Sequence, residues 1–73
     1  MNFAQLELMA KAYKHLEGKR VRLKHTSDPY TRLQAGAEGT VGLVDAIGTI
    51  HVNWDNGSRL GLVPNEDSWE VIS

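Results

Sequence analysis

The sequence predicts a mainly β fold, a small five-stranded barrel preceded by one amphipathic α-helix. Apolar residues recur at helical spacing in residues 2–17, whereas apolar and polar residues alternate in several short runs after residue 18. Asn56-Gly57 marks a tight turn between two of those runs. With 73 residues the chain forms a single domain, in which residues 2–17 are the helix and residues 18–73 the barrel.

The predicted helix carries its apolar residues on one stripe: Phe3, Leu6, Met9, Ala10, Tyr13 and Leu16. Asn2 stands where a helix N-cap is expected, and Gly18 where a helix ends in a left-handed residue. The stripe predicts a helix that packs on the barrel as a lid. A dimer seam is the alternative, because Leu8 lies off the main stripe.

The first predicted strand, residues 19–25, alternates apolar and basic side chains. Val21 and Leu23 face one side, and the cationic residues Arg20, Arg22 and Lys24 face the other. The cationic row has two interpretations. It binds phosphates or an acidic partner, or it pairs with acidic residues of neighbouring strands, for which Glu70 is the obvious candidate.

A long loop, residues 26–38, follows this strand, and long loops in small domains are often functional. Tyr30 and Arg32 are its residues with recognition chemistry. The alternative is that Tyr30 and Leu33 hold the loop against the end of the barrel.

The central hairpin is predicted over residues 48–62. Ile50, Val52 and Trp54 share one face of its first strand, and Asn56-Gly57 predicts a type I′ turn.

The remaining strands flank this hairpin. Gly42 predicts a β-bulge or strong coiling in the second strand, residues 40–45. Pro64 predicts that residues 63–67 form a short helical turn, after which residues 68–72 make the fifth strand. This arrangement of strands and loops is typical of an SH3-like barrel, and closure would hide the sheet edges.

The chain resembles a family of small SH3-like proteins of unknown function that occur in bacteria, phages and mobile elements. The resemblance covers nearly all of residues 18–72 and rests on Gly18-Lys19-Arg20-Val21-Arg22-Leu23, Asp28-Pro29-Tyr30, Glu38-Gly39-Thr40-Val41, Gly48-Thr49-Ile50-His51-Val52, Trp54-Asp55-Asn56-Gly57-Ser58, Leu60-Gly61-Leu62 and Glu70-Val71-Ile72. It implies an SH3-like barrel in a mobile-element setting, and it implies no reaction and no catalytic residue.

Composition and motifs favour a protein that is not an enzyme. The chain has no cysteine, and its three histidines show no metal-ligand spacing, so we predict no metal and no cofactor. Its acidic turn residues, Asp45, Asp55, Glu66 and Asp67, are expected to bond local backbone. No run of 18 apolar residues occurs, which predicts a cytoplasmic protein that does not enter a membrane.

The sequence predicts a non-enzymatic binding protein, a phage or mobile-element accessory that sequesters an anionic nucleotide-like ligand or inhibits a host defence factor. The predicted ligand-binding residues are Arg20, Arg22, Lys24, Tyr30, Arg32, Trp54 and Arg59. A barrel of this size needs homo-oligomerisation to enclose a small molecule. Two alternatives stay open: a nucleic-acid-binding barrel, against which the net charge of −1 counts, and a module that binds an acidic protein.

Overall fold

The computed structural model describes residues 8, 10–28, 31 and 33–73. Leu8 and residues 10–13 are α-helical, and a 3-10 turn follows at Lys14–Leu16. The five strands are β1 (Arg20–His25), β2 (Glu38–Val44), β3 (Ile50–Trp54), β4 (Gly61–Leu62) and β5 (Ser68–Val71). The predicted mainly β class with one short helix is confirmed.

The strands form one antiparallel sheet in the order β4-β3-β2-β1-β5. Among the described residues β4 and β5 share no ladder, so the sheet is open and the predicted closed barrel is wrong. The physical reason lies at β4, which has only two residues and is followed by Pro64, which has no N–H to donate. A two-residue edge strand also offers little backbone for pairing with another chain.

The core lies on the inner face of the sheet. Its buried side chains are Leu16, Val21, Leu23, Leu33, Val41, Val44, Ile50, Val52, Trp54 and Leu62. β1 and β3 alternate buried and exposed residues as predicted, because side chains of an extended strand point to opposite faces.

The N-terminal segment contacts this core at its C-terminal end. Leu16 is buried, and the ring of Tyr13 meets that of Trp69 edge to face, with centroids 5.9 Å apart. Gly18 has φ +86°, the left-handed conformation predicted after the helix. Ala10, also on the predicted stripe, is partly buried. Three other residues of the stripe and the predicted N-cap lie outside the described residues: Phe3, Leu6, Met9 and Asn2.

The predicted bulge is present in β2, where the register with β3 shifts between Val41 and Leu43. Before the bulge, Val41 pairs with Val52 and points into the core. After it, Val44 takes the inward position and Leu43, opposite His51, is exposed. One extra residue therefore turns a leucine out of the core.

Both hairpin tips use one turn geometry. At the β3–β4 tip the Gly57 N–H donates to Trp54 O at 2.9 Å and the Trp54 N–H donates to Ser58 O at 3.2 Å. Gly57 has φ +88°, whereas Asn56 is not left-handed. These features define a type I turn followed by a left-handed glycine, so the predicted type I′ turn is wrong.

The connection from β4 to β5 also differs from its prediction. Asn65 has φ +79° and is the only non-glycine with positive φ among the described residues. Because Pro64 precedes it and the Glu66 N–H donates to Val63 O at 3.0 Å, the segment has the features of a type II turn. The predicted helical turn over residues 63–67 is wrong, since Asn65 adopts the left-handed conformation.

Candidate functional site

Charged side chains form an ion-pair network on the outer face of the sheet. Its members, which we call the arginine network, are Arg20, Arg22, Glu38, Asp55 and Glu70. The guanidinium of Arg20 donates to both carboxylate oxygens of Asp55, at 2.7 and 2.6 Å. Arg22 donates to Glu70 at 2.9 Å and to Glu38 at 3.1 and 3.2 Å. The network therefore links β5, β1, β2 and the β3–β4 tip.

This pairing neutralises the cationic row of β1. Two guanidinium groups face three carboxylates, which leaves the network with one negative charge. Hydrogen bonding to Asp55 raises the pKa of Arg20, and the same contact lowers the pKa of Asp55. Of the two interpretations of the cationic row, cross-strand pairing with Glu70 is confirmed, and the arginine that contacts Glu70 is Arg22. The local backbone partner predicted for Asp55 is wrong, because Arg20 holds its carboxylate from across the sheet.

The other predicted ligand-binding residues do not assemble into one site in the described structure. Lys24 and Arg59 are exposed on separate elements. Trp54 is only 3% exposed, and its indole N–H donates to Leu60 O at 2.9 Å, so its ring packs in the core and offers no stacking face. Tyr30 and Arg32 lie outside the described residues. The predicted cationic and aromatic site therefore consists here of paired arginines and separate surface cations.

A different surface lies at the β2–β3 end of the sheet, and we call it the apolar corner: Leu43, Ile47 and His51. Leu43 is 51% exposed because the bulge turns it outward, and Ile47 at the tip is 59% exposed. His51 is the cross-strand partner of Leu43. Two large aliphatic side chains that contribute little to the core thus share one end of the sheet.

The β2–β3 tip is held rigid by Asp45. One of its carboxylate oxygens accepts hydrogen bonds from the backbone N–H groups of Ile47 and Thr49, at 3.1 and 2.9 Å. The other oxygen lies 2.8 Å from His51 Nε2. Desolvation alone would raise the pKa of Asp45, but these hydrogen bonds outweigh it and lower the pKa. The local backbone bonding predicted for this residue is confirmed, and it fixes the position of Ile47.

An open depression of about 370 Å³ lies on the helix side of the same hairpin end. Its lining comes from two segments, residues 10–14 and residues 44–46: Ala10, Lys11, Lys14, Val44, Asp45 and Ala46. Glu17 fixes this junction, since its carboxylate accepts the Val44 N–H at 2.9 Å and pairs with Lys14 at 3.3 Å. The backbone hydrogen bond from Val44 lowers the pKa of Glu17. The depression is open to solvent.

Asp67 anchors the long loop at the opposite end of the sheet. One carboxylate oxygen accepts from the Thr26 hydroxyl and the Ser27 N–H, both at 2.9 Å, and the other accepts from the Val63 N–H at 2.8 Å. Desolvation opposes ionisation, but the hydrogen bonds outweigh it and lower the pKa of Asp67. The carboxylate thus ties the start of the loop to the type II turn.

The described residues contain no group of three or more His, Asp or Glu side chains that could hold a metal ion. Within the described residues, His51 lies beside the carboxylate of Asp45 and no other. No helix within the described residues is long and apolar enough to cross a membrane.

The fold and these surfaces define the chain as a small, open, five-stranded antiparallel β domain with one short helix. It belongs to the family described as a domain of unknown function, DUF4314, whose model matches residues 3–72. The predicted membership of a small family of unknown function is thereby confirmed. No curated protein and no solved structure matches the chain.

Proposed function

We propose that this domain is a non-enzymatic protein-binding module and that it contacts its partner through the apolar corner. The observation that carries the proposal is the exposure of Leu43 and Ile47 on a rigid hairpin end. Burying two aliphatic side chains of this size stabilises a complex, and a hairpin held by Asp45 loses little conformational entropy on binding. His51 beside them supplies a polar contact at the rim of such an interface.

The partner that we propose is a host protein, because an accessory that inhibits a host defence factor suits the mobile-element setting that the resemblance implies. The SH3-like fold is part of the same proposal. It is supported by the strand order, in which β1 lies between β2 and β5, by the long first loop and by the tight turn before β5. Homo-oligomerisation stays a prediction, which the mass of the purified protein in solution tests.

The structure favours this surface over the predicted anion site. A nucleotide or nucleic acid that contacts Arg20 or Arg22 must displace carboxylates already bound at 2.6–2.9 Å. An acidic protein partner meets the same competition. Both stay predictions, and they rest on the exposed cations Lys24 and Arg59.

Paired variants test the proposal. The protein and its Ile47→Asp, Leu43→Asp and Val71→Asp variants are each used to capture partners from host cells, and any captured protein is purified and its Kd measured. Val71 is the matched control, because it is 47% exposed but lies on β5. We expect Ile47→Asp and Leu43→Asp to weaken binding at least about 30-fold, the loss of about 2 kcal/mol. We expect Val71→Asp to leave the Kd unchanged.

Two outcomes would contradict the proposal. In the first, Val71→Asp weakens binding as much as Ile47→Asp does. In the second, a nucleotide or nucleic acid binds, the affinity falls steeply with salt, and Lys24→Ala or Arg59→Ala abolishes it while Ile47→Asp does not. The second result would support the predicted anion site.

A further inference from the structure

The β3–β4 tip contains a reactive dipeptide that the binding proposal does not use, Asn56-Gly57. In an asparagine–glycine sequence the glycine backbone nitrogen attacks the asparagine side-chain carbonyl, because no Cβ of the following residue hinders it. Asn56 is exposed at the tip, so solvent reaches it. The side chain therefore meets the composition and access requirements of spontaneous deamidation.

The folded turn restrains both reacting groups. The Gly57 N–H, which must lose its proton to attack, donates to Trp54 O at 2.9 Å. The Asn56 Oδ1 accepts the Ser58 N–H at 2.9 Å, which fixes the orientation of the side-chain amide. The neighbouring Asp55 is bound by Arg20, so the tip is also tied to the sheet. The hairpin tip must therefore open before the Gly57 nitrogen can form a five-membered ring with the Asn56 side chain.

We propose that Asn56 is a modification site that is shielded in the folded hairpin and deamidates when the hairpin opens. The Gly57 nitrogen forms a bond to the Asn56 side-chain carbon, the bond from that carbon to the amide nitrogen breaks, and ammonia leaves with the transferred proton. Water then opens the five-membered ring at either carbonyl. The products are aspartate or isoaspartate at position 56.

Conversion to isoaspartate prevents the hairpin tip from returning to its original turn. The main chain of isoaspartate carries one additional methylene group between residues 56 and 57, so the Gly57 N–H no longer returns to Trp54 O in the same turn. Both products also add a carboxylate beside Asp55, whose own charge already pairs with Arg20. A molecule that deamidates at this tip is therefore marked chemically, and its isoaspartate form refolds with a disrupted tip.

The experiment compares deamidation in the folded protein and in urea at one mildly alkaline pH. Peptide mass spectrometry follows Asn56, and Asn53 and Asn65 are internal controls because Trp54 and Glu66 follow them. An isoaspartate-specific methyl-transfer assay identifies the second product. We expect Asn56 to react fastest in urea, and at least about tenfold more slowly in the folded protein, since local opening limits the reaction.

A second variant tests the role of the restraint. Arg20→Met removes the partner of Asp55, and we expect it to speed deamidation of Asn56 in the folded protein several-fold without changing the rate in urea. If Arg20→Met does not fold, the comparison for the unaltered protein still decides. Equal rates at Asn56 in folded and unfolded protein would overturn the proposal, as would faster reaction at Asn53 or Asn65 in urea.

Discussion

The two hairpin tips share a backbone geometry and differ in what their side chains hold. In each, the residue that begins the turn accepts a bond from a glycine three positions later, Gly48 at 3.0 Å or Gly57 at 2.9 Å. These glycines have φ +86° and φ +88°. At the β3–β4 tip Asp55 is tied to Arg20, whereas at the β2–β3 tip Asp45 holds only its own turn and its neighbour His51. One tip is fastened to the sheet, and the other presents Ile47 to solvent.

This difference separates a tip that is tied to the sheet from the tip that carries the proposed interaction surface. The β3–β4 tip begins with the buried Trp54, and the next residue, Asp55, pairs with Arg20, so these residues stabilise the fold. The β2–β3 tip is supported by hydrogen bonds to Asp45 from its own turn and from His51 of β3, and Glu17 accepts the Val44 N–H at its start. A rigid tip with an exposed aliphatic side chain is available to a partner. The following predictions test whether the two hairpin tips differ in this way.

The largest expected effect is at the start of the β3–β4 tip. Trp54→Ala removes a ring that is 3% exposed, and we expect a loss of about 3–5 kcal/mol in the free energy of unfolding. Ile47→Ala at the other tip should change it by less than about 0.5 kcal/mol. Urea unfolding followed by circular dichroism measures both. A large loss with Ile47→Ala would show that this side chain belongs to the core.

The two glycines provide the next comparison. Gly57→Ala places a Cβ in a left-handed residue with no atom within 4 Å, so only backbone strain of about 1–2 kcal/mol is expected. Gly48 is buried, and we expect Gly48→Ala to cost more. Asparagine tolerates this conformation better, so Gly57→Asn should be milder than Gly57→Ala. Equal losses for alanine and asparagine would argue against left-handed strain as the cause.

The two aspartates should differ in their response to salt. Asp45→Ala leaves two backbone N–H groups without their acceptor, and we expect a loss of about 1–2 kcal/mol that added salt barely changes. Asp55→Ala breaks an exposed ion pair, so its effect should be smaller and should shrink as salt is added. Unfolding curves at low and high ionic strength distinguish the two. Matching salt dependence would mean that both tips are held in the same way.

Acidification should lower the free energy of unfolding by less than the substitutions described above. Because the folded state lowers the pKa of Asp45 and of Asp67, these groups stabilise the protein above the ordinary aspartate value of 3.8. Their contribution is lost as the pH falls from about that value through the lowered pKa values. Asp67→Asn should reduce the acid sensitivity of the unfolding free energy, which titration of unfolding curves measures. An unchanged pH profile in this variant would assign the sensitivity elsewhere.

Local patterns in the sequence predict much of the fold and little of the site. The alternation of apolar and polar residues places Val21 and Ile50 in the core, because it depends only on the period of a strand. Strand order brings Arg22 to Glu70, because this contact depends only on which strands are neighbours. The dipeptide Asn56-Gly57 predicts the wrong turn type, because it suits two kinds of turn and the register of the flanking strands decides between them. Pro64 marked a turn, but its type depends on the left-handed Asn65.

The site was harder to predict because it depends on register. Gly42 signals a bulge, but the outward position of Leu43 follows only once the pairing with β3 is known. The Arg20–Asp55 pair joins residues 35 positions apart, and alternation within one strand carries no information about it. The sequence pattern predicts a basic row that contains Arg20 and Arg22, because the carboxylates that pair with them come from three other segments.

The bulge in β2 absorbs one residue of chain length at Gly42. Deleting Gly42 would restore uninterrupted alternation, with Leu43 still opposite His51 and Val44 still opposite Ile50, so Leu43 would stay exposed and Val44 buried. The core and the exposed end would therefore both keep their aliphatic residues. The length of β2 can thus change by one residue at this position while the inner and outer faces of the sheet keep their composition.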